Sequence, residues 1–411
     1  QGVAKCLWPG PLFAGPQGDA AQPLVQKHQH RGLADALRVQ GLDFQCHTFD
    51  VDHAHVRILA SGPGLGDLHS VLCLLPRMRG LLELFLLHSL IVRVVTLAWL
   101  LSATAALAQS ASPIFVLNSL DANISVIDPS TWKVVKTLPT GKEPHHLYLT
   151  PDEQSVIVAN AASDSLTFID PRTAQIQRVV RNTVDPYHLR FSPDMKWFVT
   201  VANRVNHIDI YRWDGSTPVL AKRLPSSKTP SHIWIDSKST TLYASMQESN
   251  ELVAVDLATQ TQRWRIPTGP LPADLFGTPD DKHLLVANTG GFDVQVFDLT
   301  QNPARLVKTL RTGEGAHAFR ALGDGKHVLL SNRVADTISR IDYTRLEVVG
   351  EYKAPGGPDC MEVTRDGKLL VSSRWIKRMT VIDLATGKVE RQVRVGKSPH
   401  GVWTLDHVKR Q

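Results

Sequence analysis

One period governs this chain. An aspartate closes a short apolar run at Asp128, Asp170, Asp256, Asp298, Asp342 and Asp383, Trp213 holds the same place in the third run, and the successive steps are 42, 43, 43, 42, 44 and 41 residues. Ten residues before each lies Asn118, Asn160, Asn203, Met246, Asn288, Asn332 or Ser373. Within each unit, runs rich in Val, Ile, Leu and Phe alternate with period two and are bounded by Pro-Asp, Asp-Gly and Thr-Gly turns, the pattern of short half-buried strands. A lone sheet of four such strands cannot bury both faces, so the units must stack on one another. The expected fold is all-β, a seven-bladed β-propeller of four-stranded blades over residues 113 to 411.

The ends of the repeat array are complementary. The first unit opens at Pro113-Ile114-Phe115-Val116-Leu117-Asn118 without an innermost strand, and the chain finishes on a spare one, Ser398 to Thr404. That strand is expected to complete the blade begun by residues 113 to 140 and close the ring.

The units resemble the YVTN-type propeller repeat, and the chain from 113 to 411 resembles the secreted YncE-like family. The resemblance rests on Ala159-Asn160, Val126-Ile127-Asp128, Thr140-Gly141, Pro144-His145 and Pro151-Asp152. Met246 and Ser373 at the Asn position and Trp213 at the Asp position depart from it. It implies the fold strongly and function weakly, because one fold hosts unrelated activities. Related rings carry haem in nitrite reductases, and others only bind partners.

Ahead of the array, residues 81 to 108 are almost wholly apolar and end in Ala106-Leu107-Ala108, a small-x-small pattern that suits signal-peptide cleavage. The expected organisation is an upstream extension over 1–77 that is not part of the working protein, a signal peptide over 78–108, and the propeller over 109–411. A periplasmic or secreted location follows, with membrane attachment only through an uncleaved apolar segment. The four cysteines, Cys6, Cys46, Cys73 and Cys360, show no CxxC, no CxxCH and no zinc-knuckle spacing, which excludes covalent c-type haem. The formal charge of +6 comes without any run of five basic residues, so nucleic acid is not an expected partner. No GxSxG, HExxH or Walker loop occurs in 109–411, and turnover by those chemistries lacks support.

One pattern stands above this background. Of ten histidines in 109–411, six fall in the first two positions after the residue that opens each innermost strand. In chain order those positions hold His145-His146, Tyr187-His188, Ser231-His232, Ala273-Asp274, His317-Ala318, Asp359-Cys360 and His400-Gly401. The second positions run His146, His188, His232, Asp274 in consecutive blades; the first run His317, Asp359, His400, His145 once the ring closes. Arg204, Arg333 and Arg374 share one register in the loops of the same face, with Trp375 beside the last. Innermost strands line the channel, so these groups are expected to crowd one mouth as a ligand site. A metal would take His146, His188 and His232, and an anion would take the arginines.

Two explanations of the histidines stay open beside each other. Each imidazole can hydrogen-bond a neighbouring blade and pin its strand, or the ring can hold a transition metal, a non-covalent haem or an organic anion. The expected function is a binding or scaffold protein, without turnover of its own, that takes a protein partner or small anionic ligand at this mouth. The alternative is a haem- or metal-bearing redox or cofactor-maturation protein, with one of these histidines as axial ligand and the arginines on cofactor carboxylates.

Overall fold

The computed structural model describes His88, Leu90, Val92, Arg93 and residues 112–410. The chain divides into two compact units, Gln1–Arg93 and Val94–Gln411. The four described residues of the first are helical, and the expected upstream extension and signal peptide otherwise lie outside the described residues. Among the described residues, no helix is long and apolar enough to cross a membrane.

Residues 114–404 form twenty-eight strands, numbered β1 to β28 in chain order, in seven antiparallel sheets of four. The innermost strands are β4 (Pro144–Leu149), β8 (Pro186–Phe191), β12 (Pro230–Ile235), β16 (Pro272–Gly277), β20 (Ala316–Ala321), β24 (Pro358–Val363) and β28 (Pro399–Thr404). The closing sheet has the order β28-β1-β2-β3, where β1 is Ile114–Asn118, β2 Asn123–Asp128 and β3 Lys133–Pro139. Phe115 pairs with Trp403, so the last strand fastens the first blade. Each innermost strand packs beside the next around the full ring.

The core lies between the blades. Phe115, Leu117 and Ile124 of the first blade pack with Leu147, Val156 and Val158 of the second, and comparable seams follow round the ring. Trp132, Trp197 and Trp264 cover the rims of such seams. The recurring aspartate accepts backbone amides two or three residues on, as Asp298 does from Thr300 at 2.9 Å, making the hairpin turn. The recurring asparagine bridges to the next strand at Asn118, Asn160, Asn288 and Asn332, while Asn203 donates to the Pro230 oxygen of the following blade. In the bridge, Asn160 Nδ2 donates to Ser165 Oγ at 3.2 Å and Thr167 Oγ1 at 2.9 Å. At the departure Ser373 the same bridge survives, with its Oγ 2.6 Å from Thr380 Oγ1.

One backbone feature positions the candidate site. All seven innermost strands slip by one residue against their neighbours just after they begin; Pro144 pairs with Asn160, yet Leu147 pairs with Val158. This β-bulge breaks the strict alternation of faces. Consecutive residues such as His145 and His146 can therefore both turn toward the axis.

Candidate functional site

The bulges place the recurrent positions in two tiers along the axis. In the first tier the His145 ring stacks on Tyr187 at 3.9 Å and on His400 at 3.7 Å between centroids. In the second, His146, His188 and His232 stand edge to edge or tilted, 4.5 to 4.9 Å apart. The two tiers touch, His146 lying 4.8 Å from His400. The six imidazoles thus fill the axis rather than ringing an open channel.

The first tier is a clasp. Asp359 is fully buried, and its Oδ1 accepts from Arg333 at 2.7 Å while its Oδ2 accepts from Arg374 at 2.9 Å. Burial alone would raise this carboxyl, but Arg333, His400 and His317 hold it well below the usual range. Arg333 also donates to His317 Nε2 at 2.6 Å, which occupies that lone pair. His400 Nδ1 donates to the backbone oxygen of His145 at 2.7 Å, the neighbour-pinning bond that the structural explanation of the histidines describes. Gly401 follows for a steric reason, since a Cβ there would meet Leu117 Cδ1 at 2.8 Å and the His145 oxygen at 3.1 Å.

Arg204 does not join the other two arginines. It pairs with Asp185 at 2.7 Å and with Glu143, and its side chain is 44% exposed. The three arginines that share a register therefore split into two on Asp359 and one on the rim, each already opposite a carboxylate. Trp375 is exposed and lies across Gly357, whose φ of +69° and missing Cβ leave room for the indole.

The second tier is wired differently. One ring nitrogen from each of His146, His188 and His232 lies within 4.8 Å of the others. His146 Nε2, His188 Nδ1 and His232 Nε2 are buried without a hydrogen-bond partner. His232 Nδ1 meets Ser231 Oγ at 2.9 Å, which fixes that ring. Burial, reinforced by the neighbouring imidazoles, keeps all three well below the ordinary histidine value, so they stand neutral with lone pairs available. Asp274 shares the tier but not the cluster. Its two oxygens accept the Leu275 and Phe319 amides, each at 2.8 Å, and burial raises it to about 6.

Two further clusters among the described residues have ligand-like spacing, His145-His146-His400 and His317-Asp359-His400. Arg374 beside His145, and Arg333 and Arg374 beside His317 and His400, oppose a cation in these clusters; Arg190 acts in the same sense at His188 and Arg333 at His232.

Below the second tier lies an axial cavity of about 180 Å³. His146, His188, His232, Asp274 and Cys360 line it at one end. Arg190, Arg320 and Arg410 line it as well, and sequence reasoning passed over them. Arg190 and Arg320 stand in register with Tyr148, Trp234, Phe276, Glu362 and Trp403, five residues into each innermost strand. Charged residues at a place where four blades put aromatics were the signal available. Arg320, with buried Glu362, anchors the tail, donating to the Val408 oxygen at 2.8 Å, and Arg410 reaches Glu362 from that tail. Cys360 lies 3.5 Å from His400 Nδ1, and burial with Asp359 pushes its thiol well up, so it stands protonated.

Comparison with known proteins places this geometry in context. A family described as YNCE-like beta-propeller matches residues 83–410. No curated protein matches the chain by sequence. Among solved structures, the dihydro-heme d1 dehydrogenase NirN is similar at 17% identity, covering 72% of this chain and 76% of that one with a TM-score of 0.57. The periplasmic gluconolactonase PpgL of Pseudomonas aeruginosa is similar at 17% identity, covering 73% and 99% with a TM-score of 0.61. A functionally unknown protein from Desulfotomaculum acetoxidans is similar at 17% identity, covering 71% and 98% with a TM-score of 0.62. At these identities the likeness is one of fold.

Proposed function

The chain belongs to the YNCE-like β-propeller family, and from that premise we propose that it is a binding protein, without turnover of its own, that holds a first-row transition metal ion through His146, His188 and His232. The observation that carries this is the convergence of one ring nitrogen from each of three imidazoles within 4.8 Å at the wall of a cavity, in residues that each also keep a buried ring nitrogen without a hydrogen-bond partner. An apolar interior leaves buried polar atoms unpaired only at a cost, and a bound cation would remove it. Bonds of roughly 2.0 to 2.1 Å from nitrogen to metal need nitrogens about 3.3 Å apart, so the rings would have to close in from their present spacing, which is at most 4.8 Å. His146, His188 and His232 would hold such an ion beside the cavity, and imidazole suits zinc, copper, iron and nickel.

The haem alternative draws less support from the same geometry. Arg333 and Arg374, assigned to cofactor carboxylates in that scheme, are engaged by Asp359. The cavity of about 180 Å³ falls below the ~300–1,000 Å³ of pockets for drug-sized ligands. An exported setting, suggested by the apolar run ending in Ala106-Leu107-Ala108, suits a protein that meets loosely held metal outside the cytoplasm.

The test is titration of the untagged chain with Co²⁺, read by visible absorption and elemental analysis. One equivalent with tetrahedral d–d bands is expected. His146→Ala should weaken it by at least about 100-fold, while His317→Ala should leave stoichiometry intact. A chain that takes up no metal, or loses it equally with His317→Ala, would overturn the reading.

A further inference from the structure

Beyond the three imidazoles, the cavity holds a charge imbalance. Arg190, Arg320 and Arg410 line it, opposed by Asp274 on its wall and by Glu362 between two of the arginines. Three positive charges against two negative leave one positive charge before any metal enters. A divalent ion would raise the local sum to three. A partly enclosed cavity with that sum favours an anion beside it.

The arginines differ in how much of their hydrogen-bonding capacity is spent. Arg320 is committed to Glu362 and to the Ala321, Val408 and Lys409 oxygens. Arg410 reaches Glu362, and its Nε is buried without a partner. Arg190 stacks its guanidinium 4.0 Å over Trp234, its bond to a backbone oxygen, Ile233, is a long 3.3 Å, and it also bonds the Tyr148 side chain and feels the Asp274 carboxylate. A stacked guanidinium held flat by an indole keeps its planar fork of donors pre-organised for a two-oxygen acceptor.

We propose that the axial cavity is a binding site for a small carboxylate or similar planar oxyanion, held by the Arg190 fork with Arg410 beside it. Resting on the metal reading above, the inference gives the bound ion a further ligand, an oxygen of that anion. The cavity of about 180 Å³ limits the ligand to a few heavy atoms. The anion is recognised by charge and planarity, and the clasp at the other end of the axis takes no part.

Acetate is the probe. It is titrated into the Co²⁺-loaded full chain in chloride-free buffer, with the visible spectrum and calorimetry as readouts, on wild type, Arg190→Met and Arg190→Lys. A shift of the Co²⁺ bands by acetate, weakened at least tenfold in Arg190→Met and by less in Arg190→Lys, supports the proposal. Co²⁺ uptake with no acetate response, or an equal response in Arg190→Met, overturns it and leaves the metal reading standing. If no Co²⁺ is taken up the metal reading fails, and calorimetry on the metal-free chain decides: acetate binding lost in Arg190→Met keeps the anion site, and no binding removes it. Should Arg190→Met fail to fold, Arg190→Lys carries the comparison, because it retains the charge and loses the fork.

Discussion

The two tiers on the axis are built from nearly the same residues and do opposite things. In the first, every charge is matched: Asp359 faces Arg333 and Arg374, and His317 gives a lone pair to Arg333. In the second, three imidazoles keep nitrogens with no partner, and the cavity beyond them carries unmatched positive charge. Residue type alone does not separate a clasp from a site. What separates them is charge: in the first tier a buried carboxylate already balances two arginines, although His145 Nδ1 and His400 Nε2 there also lack a hydrogen-bond partner.

The sharpest way to break that contrast is to unmake the clasp. Asp359→Ala leaves Arg333 and Arg374 with under a fifth of their side-chain surface exposed and no carboxylate between them. Removing one partner of a buried ion pair costs about 3–5 kcal/mol, equivalent to a fall in melting temperature of roughly 5–15 °C. Scanning calorimetry showing an unchanged Tm would mean that the first tier is not a clasp.

Acid sharpens the comparison across both tiers. His145, His146, His188, His232, His317 and His400 are all held below the ordinary histidine value of about 6.5 by burial, with His317 at about 4 and His400 at about 3. The unfolded chain then binds more protons than the folded one below about pH 6.5, so stability falls as pH drops through this window. Each full proton of difference is worth about 1.4 kcal/mol per pH unit. Asp274 and Asp185, raised by burial to about 6, act with opposite sign between 3.8 and 6 and offset part of the loss. Urea denaturation should give lower stability at pH 5 than at pH 7; equal stability would show that these imidazoles are not buried neutral.

The smallest effect belongs to the arginine outside both tiers. Arg204 is 44% exposed beside Glu143 and Asp185, and Arg204→Ala should cost no more than about 1 kcal/mol by urea denaturation. A loss comparable to that of Asp359→Ala would join the rim to the clasp and erase the distinction.

These contrasts mark what could be seen in the bare sequence. The blade count, the strand order and the closing role of residues 398 to 404 were legible, because a 43-residue period and alternating runs reflect local backbone chemistry repeated seven times. The crowding of six histidines on the axis was legible for the same reason. Their division into two tiers was not, since it depends on a bulge in each innermost strand that no turn residue announces. Nor could the sequence show that Asp359 neutralises two arginines while Asp274, its counterpart in the other run, accepts backbone amides. Those choices arise where neighbouring blades meet, and partners such as Arg320 and the Val408 oxygen are too far apart along the chain to leave a pattern.

Ring closure also carries a consequence in time. The bond from His400 to the His145 oxygen joins residues 255 positions apart, and β1 finds its inner neighbour only in β28. Such remote pairings form late and slowly, because a long loop must be closed before any contact rewards it. On the ribosome, six blades can be assembled while the axis is still a gap. The first tier, which needs His400 of β28, would then come into being as the last event of folding, whereas His146, His188 and His232 stand on three consecutive blades that can be complete before it.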